Sequence, residues 1–394
     1  MKILLATGGP YYPLGRSGNS IVHRYMLDEL AACGHTITMI CCAHVTRRGE
    51  LHEAHLAKLQ RAGTAVTRHP RWDGFRAGNV EIHAVKMPED LPSHVSEMIE
   101  RDSPDRVVVS GPDDRQGMLR AALSQNAIVV YVCQGVTDLP HGPLSLQPIA
   151  EHVGVFGRLS GIVGVSGYVA DYIRRWLGVD ATAIYAPAYG PGPFPVLGSF
   201  DAPYVAFVNP SQLKGLEIFL DLVRAFPETE FAAVPSWATT PSELDQLAAI
   251  PNVHLLDFVD DIEVLLRQTK VLLVPSLIPE GFGLLPVEAM LRSVPVIASD
   301  AGALREAMLG MESLIHVTPI GEFTRERDAV GLPLPVVPPQ EHAPWRASLA
   351  RLLQERDTYV QRSVAVRNAA TRFVAGLTID TFEKFLTTAR PRPM

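Results

Sequence analysis

Two glutamates, Glu280 and Glu288, stand with seven residues between them, and the residues they enclose have types that suit ligand binding. Gly281-Phe282-Gly283 make a glycine-containing turn, and Pro286 opens a helical run that contains Glu288. Proline at a helix start costs little, because its missing N–H would be unpaired there. Before the turn, Val271–Val274 is a short apolar run of buried-strand character. A turn between a strand and a helix gathers free backbone N–H groups at the positive end of the helix dipole, so it is a ready anion site. A second strand, Pro295–Ala298, leads into another small-residue turn of this kind, Ser299–Ala303. One carboxylate falls in the loop and the other in the first turns of the helix, facing one crevice. That pattern fits a ligand with phosphate in its middle and hydroxyls at both ends, as in a nucleotide sugar.

Short apolar strands alternate with helical patterns to position these residues. In the first half the candidate strands are Lys2–Ala6, Thr36–Cys42, Val80–Val85, Arg106–Ser110, Ala127–Cys133 and Gly161–Val165. Ser20–Cys33 carries apolar residues at helical spacing (Ile21, Tyr25, Met26, Leu30), and Gly34 ends it as a C-cap would. The second half repeats the alternation with Tyr204–Val208, Glu230–Val234, His254–Asp257, Val271–Val274, Val296–Ala298 and Leu314–Val317. Pro187–Pro203, dense in Pro and Gly, reads as a semi-rigid linker between two domains. Pro319–Trp345 reads as an irregular excursion, and Ala347–Thr388 as helical with an interruption at Gly376. Strands alternating with helices give parallel sheets covered on both faces. Their ligands bind beyond the carboxyl ends of the strands. The first strand therefore points at Thr7-Gly8-Gly9-Pro10, and Gly18 and Asn19 stand where amides ahead of a helix face a ligand.

The second-half segment resembles the E-x(7)-E region of retaining family-4 glycosyltransferases. The resemblance rests on Pro275-Ser276, Glu280-Gly281-Phe282-Gly283, Glu288-Ala289-Met290 and Pro295-Val296-Ile297-Ala298-Ser299. It implies the α/β GT-B fold, two Rossmann-like parallel-sheet domains facing each other across a cleft. The domains expected are 1–190 for the acceptor, 200–375 for the nucleotide sugar, and a C-terminal helix, 376–394, crossing back to the first domain. It also implies transfer of a sugar from a nucleoside diphosphate sugar, on UDP or GDP, to a hydroxyl of a small molecule, glycan or lipid, with anomeric configuration retained. Glu280 is then expected to hold donor-sugar hydroxyls and Glu288 the ribose. Lys214 and the Gly281–Gly283 amides stabilise charge on the leaving diphosphate, with Phe282 in the same turn. The family supplies an arginine five residues before that lysine, and Asn209 stands there instead. Lysine is a flexible point charge and can serve alone, though less rigidly than a bidentate arginine; Arg16 is a rival cation. The family's adjacent glycines in the first loop correspond to Gly18 and Asn19. Its acceptor-side histidine corresponds to Gln134, with His141 the nearest histidine.

Composition narrows the remaining choices. At 394 residues two domains are expected, and 47% hydrophobic residues supply cores for both. No apolar run reaches membrane-spanning length, and MKILLATGG reads as a first strand and not a secretory signal. A net charge of −7 gives no reason to expect nucleic-acid binding. Cys33, Cys41, Cys42 and Cys133 lack metal-ligand spacing, so reduced thiols in a cytoplasmic protein are expected, with no metal and no tightly bound cofactor. The basic stretch Arg47–Arg76 raises docking to an anionic membrane, which a missing apolar face disfavours. Two other activities share the expected donor site: a nucleotide-sugar epimerase, and a non-catalytic sugar-nucleotide-binding partner of another transferase. A Rossmann dehydrogenase is disfavoured, since no G-x-G-x-x-G follows the first strand.

Overall fold

The computed structural model describes residues 1–12, 14–15, 17–43, 49–146, 148–149, 152–259 and 261–391. The chain divides into two compact units, one of residues 1–190 with 377–394 and the other of residues 191–376. Arg16, Arg47 and Arg48 lie outside the described residues.

The first unit is built on β1 (Lys2–Ala6), β2 (Thr36–Cys42), β3 (Thr67–Arg68), β4 (Trp72–Ala77), β5 (Val80–Val85), β6 (Arg106–Ser110), β7 (Val129–Cys133), β8 (Gly161–Gly164) and β9 (Thr182–Ala183). Their order is β3-β4-β5-β2-β1-β6-β7-β8-β9. All pairs are parallel except β3 with β4 and β4 with β5, an antiparallel edge added as a hairpin. Helices cover both faces, so Ile3, Leu4, Leu5 and Ala6 are all buried, as are the adjacent Cys41 and Cys42 on opposite faces. The order reverses between β1 and β6, and there the loops touch. Gly8 donates its N–H to Pro112 O at 2.9 Å, where a Cβ on Gly8 would sit 2.4 Å from that oxygen.

The first helix spans Gly18–Ala32, two residues earlier than the apolar spacing indicates, because Ser17 caps it by accepting from Ser20 N. Its inner face buries Val22, His23, Met26, Leu27 and Leu30. Each such aliphatic side chain contributes roughly 1.5–3 kcal/mol. The basic stretch folds into a helix, Gly49–Arg61, and the hairpin β3–β4, neither of which its composition announced. Several of its charges are paired: Arg68 with Glu53 at 2.9 Å and Arg71 with Glu97 at 2.7 Å. The C-terminal helix, Asp380–Thr388, packs in this unit, burying Phe382 and Leu386. Arg106 donates to Leu386 O at 2.5 Å, and His35 contacts Glu383 at 2.9 Å.

The second unit carries β10 (Tyr204–Val208), β11 (Glu230–Val234), β12 (Val253–Leu255), β13 (Thr269–Val274), β14 (Val296–Ser299) and β15 (Leu314–Ile315). The sheet is parallel in the order β12-β11-β10-β13-β14-β15. Chain order runs one way from β10 and the other way from β13, so the switch point lies between these two strands. Phe207 and Phe219 pack tilted at 5.0 Å, and Phe219 and Phe231 edge-to-face at 5.6 Å, between ring centroids.

Three expectations of local structure need correction here. The helix after the glycine turn begins at Leu284, not Pro286, because Gly283 with φ +100° is its cap. Pro286 is then the third helical residue, still in the turn whose N–H groups lack intrahelical partners. The excursion after residue 319 contains a hairpin, β16 (Phe323–Arg327) with β17 (Pro333–Pro335). The helical tail breaks at Glu355 as well as near Gly376, giving Ala343–Gln354 and Arg356–Ala375.

Candidate functional site

The loops after β10 and β13 are stitched together at the switch point. Gly215, with φ +86°, lies where a Cβ would come 2.0 Å from Pro275 O, so only glycine lets the turns approach this closely. Leu277 N and Ile278 N both donate to Leu213 O, at 3.0 and 3.2 Å. On the other side Glu280 bridges Gly302, and Ala303 N donates to Glu280 O at 3.0 Å. Three turns at the carboxyl edge of the sheet thus form one continuous rim.

Lys214 and Glu280 meet on that rim. Lys214 Nζ donates to Glu280 Oε1 at 2.5 Å, and Ser276 Oγ donates to the same oxygen at 2.5 Å. Ser276 is itself placed by Ser299 Oγ, which donates to Ser276 O at 2.7 Å. The arrangement holds one carboxylate oxygen firmly and sets a cation beside it, next to the Gly281–Gly283 turn. Ser276 belongs to the sequence pattern, yet nothing in its type revealed that it orients Glu280.

Glu288 lies on the helix Leu284–Leu291, half-buried. Burial pushes its carboxyl up from 4.5 to about 7, with the Arg292 cation acting in the opposite direction. Arg292 is already engaged, donating to Glu263 Oε1 at 2.9 Å and to Glu288 O at 3.1 Å. A carboxyl with its pKa raised in this way, on the helix that follows the glycine turn, is suited to exchanging hydrogen bonds with hydroxyls.

Two expected contacts differ from expectation. The Phe282 ring is buried and stacks on Phe373 at 5.7 Å, so it packs the helix layer, and only its backbone can serve a ligand. Asn209 is 5% exposed and has φ +64°. Its Oδ1 accepts from Ala238 N at 3.0 Å and Thr239 Oγ1 at 3.3 Å. Asn209 Oδ1 therefore anchors the turn after β11, while its buried Nδ2 has no hydrogen-bond partner among the described residues.

The first-unit candidates group less tightly. Gln134 is buried and its Nε2 contacts His23 Nε2 at 3.0 Å and Ser110 Oγ at 3.3 Å, while Ser110 Oγ lies 2.8 Å from His23 Nε2. Burial holds His23 down at about 4, so its neutral Nε2 can accept from both partners. A histidine thus does stand at the carboxyl ends of β6 and β7, supplied by the first helix, a contact that spacing in the sequence does not disclose. His141 is exposed, its ring 6.4 Å from that of Trp176. Gly18 is exposed in the first turn of its helix, with Asn19 half-buried beside it.

Among the described residues, His52, Glu53 and Asp73 lie close enough to share a cation. Arg68 already reaches Glu53 at 2.9 Å and Asp73 at 3.2 Å, and Lys86 reaches Asp73 at 3.3 Å. Protein cations therefore fill the role a metal would have. No helix among the described residues is long and apolar enough to cross a membrane.

Two Rossmann-like parallel-sheet domains, the second with its rim at the switch point, define a GT-B protein. Residues 202–325 match the family model of Glycosyl transferases group 1, and the chain resembles that family. It is 28% identical over 254 residues to a phosphatidyl-myo-inositol mannosyltransferase of Mycobacterium tuberculosis, covering 58% of this chain and 57% of that protein. The match thus spans little more than half the length of these curated relatives. A shorter match, 34% over 112 residues, is to the lipopolysaccharide core biosynthesis mannosyltransferase LpcC of Rhizobium leguminosarum bv. viciae, covering 25% of this chain and 32% of that protein. Among solved structures, sucrose-phosphate synthase from Thermosynechococcus elongatus is similar with TM-score 0.70 at 16% identity, covering 99% of this chain and all of that one. Anabaena HepE in complex with UDP-glucose gives TM-score 0.66 at 15% identity, with 98% of both chains covered.

Proposed function

We propose that the protein is a retaining glycosyltransferase that moves a sugar from a nucleoside diphosphate sugar to a hydroxyl of a small molecule, glycan or lipid. The observation that carries this reading is the meeting of Lys214 and Glu280 across the switch point at 2.5 Å, beside the glycine turn. A cation and backbone amides suit a diphosphate, and an adjacent carboxylate suits the hydroxyls of the sugar attached to it. Glu288, one helix turn further on, takes the ribose. Mannosyltransferases and a UDP-glucose complex among the similar proteins support the same donor class.

The reaction breaks the bond between the anomeric carbon and the diphosphate oxygen, and forms one to the acceptor oxygen on the same face. The acceptor's proton passes to the departing diphosphate. Double displacement would need a second carboxylate about 5–5.5 Å from the first across the bond. Glu280 already accepts from Lys214 and Ser276, which suits it to holding hydroxyls better than to attacking carbon. Catalysis then rests on positioning and on stabilising charge that builds on the diphosphate. Gly18 is assigned to the donor side, and Asn19, Gln134 and His141 to the acceptor side.

The test is incubation with GDP-mannose and UDP-glucose, first without and then with hydroxyl acceptors, followed by NMR of the products. Slow donor hydrolysis and an α-linked product from an α-linked donor support the reading. Isomerised sugar would make the protein an epimerase, and binding without turnover a non-catalytic partner.

A further inference from the structure

Of the four tryptophans, Trp237 alone is exposed, with 43% of its surface in solvent. It sits on the turn that follows β11, at the carboxyl edge of the sheet and next to the loop after β10. That turn is tightly pinned. Ser236 N donates to Thr239 Oγ1 at 3.2 Å, and Thr239 N donates to Ser236 O at 3.2 Å. Ala238 N and Thr239 Oγ1 both donate to the buried Asn209. None of these bonds uses the indole. The fold therefore fixes the place of a large aromatic ring while gaining little from burying it. Lys214 Nζ lies 5.6 Å from the ring centroid, within the range of a cation–π contact.

We propose that Trp237 is the nucleobase-stacking residue of the donor site. This rests on the nucleotide-sugar reading above. Lys214 marks the position of the diphosphate and Glu280 the sugar side, towards β13 and β14. The other end of the ligand then extends towards β11 and β12, where Trp237 offers an exposed π-face. Aromatic stacking is tolerant, because every base has such a face. Trp237 thus supplies affinity for a nucleoside diphosphate without choosing sharply between guanine and uracil. Asn209, at the place where the resemblance leads one to expect an arginine, becomes a positioning residue for this ring.

The experiment is calorimetry of the full chain with GDP, UDP, the matching nucleotide sugars and inorganic pyrophosphate, for wild type, Trp237→Ala and Trp237→Phe. Circular dichroism checks that the variants are folded, as an exposed site leads one to expect. Trp237→Ala should bind both nucleoside diphosphates about 5-fold to 150-fold more weakly and pyrophosphate unchanged. Trp237→Phe should retain most of the affinity. Unchanged GDP and UDP affinity in Trp237→Ala overturns the assignment. A loss confined to the nucleotide sugars overturns it too, placing the ring against the sugar. If the wild type binds neither GDP nor UDP, the donor reading itself falls, and this inference with it.

Discussion

Lys214 and Glu280 neutralise one another, so a diphosphate must draw the lysine away from its carboxylate partner before the cation can stabilise it. Lys214→Ala should lower turnover on the order of a hundredfold to a thousandfold, the range for removing one donor aimed at developing charge. Steady-state kinetics measure this, and a loss below threefold would remove Lys214 from the reaction. Asn209→Arg would not compensate, because Asn209 is buried and holds Ala238 and Thr239; it should lower stability instead. Glu288 gives a prediction in pH. Its folded-state value of about 7 lies above the ordinary 4.5, so its ionised form is disfavoured in the fold. The resulting penalty is absent below about 4.5, grows as pH rises, and is complete above about 7. Glu288→Gln should therefore raise stability in nucleotide-free buffer by up to about 3 kcal/mol at pH 8 and hardly at all at pH 4.5. The same variant should weaken nucleotide binding roughly tenfold to a hundredfold, if the carboxylate holds the ribose. Urea titrations at the two pH values and calorimetry check both halves.

At the scale of elements, the site depends on how closely the turns after β10, β13 and β14 approach. Gly215→Ala forces a Cβ against Pro275 O and a side chain into the left-handed region. The conformational part alone costs about 1–2 kcal/mol, and displacing the neighbouring turn adds to it. A lower urea midpoint together with reduced turnover is expected; unchanged values of both would show that these turns need not touch. Much of this architecture was legible in the sequence. The apolar strands and the Glu280–Glu288 spacing announce the second sheet and its rim, because buried parallel strands read as short continuous apolar runs. What sequence could not supply were contacts between distant turns. Asn209 stands where the resemblance leads one to expect an arginine, and its type says nothing about Ala238 N donating to its Oδ1 at 3.0 Å. His23 lies within the Ser20–Cys33 helical run, whose spacing does not disclose that it meets Gln134, 111 residues away. The helix Gly49–Arg61 and hairpin β3–β4 were masked by charge, which signals solvation as readily as structure.

At the scale of the whole molecule, the first unit is made from two separate stretches of chain, with residues 191–376 lying between them in sequence. Leu386→Ala should destabilise the first unit by about 2–5 kcal/mol, the cost of emptying a buried leucine site, while hydrogen exchange in the second unit stays unchanged. Uniform loosening of both units would contradict this division. The same arrangement constrains biosynthesis. An apolar hollow lined by Met26, Val132, Val163 and Ile184 is closed in part by Thr378 and Phe382. On the ribosome those last residues emerge only after the second unit has been translated. The nascent first unit therefore waits, while residues 191–376 are made, with an uncovered greasy groove. Chaperone occupancy of nascent chains should persist while residues 191–376 are made and fall only once Thr378 and Phe382 have left the exit tunnel.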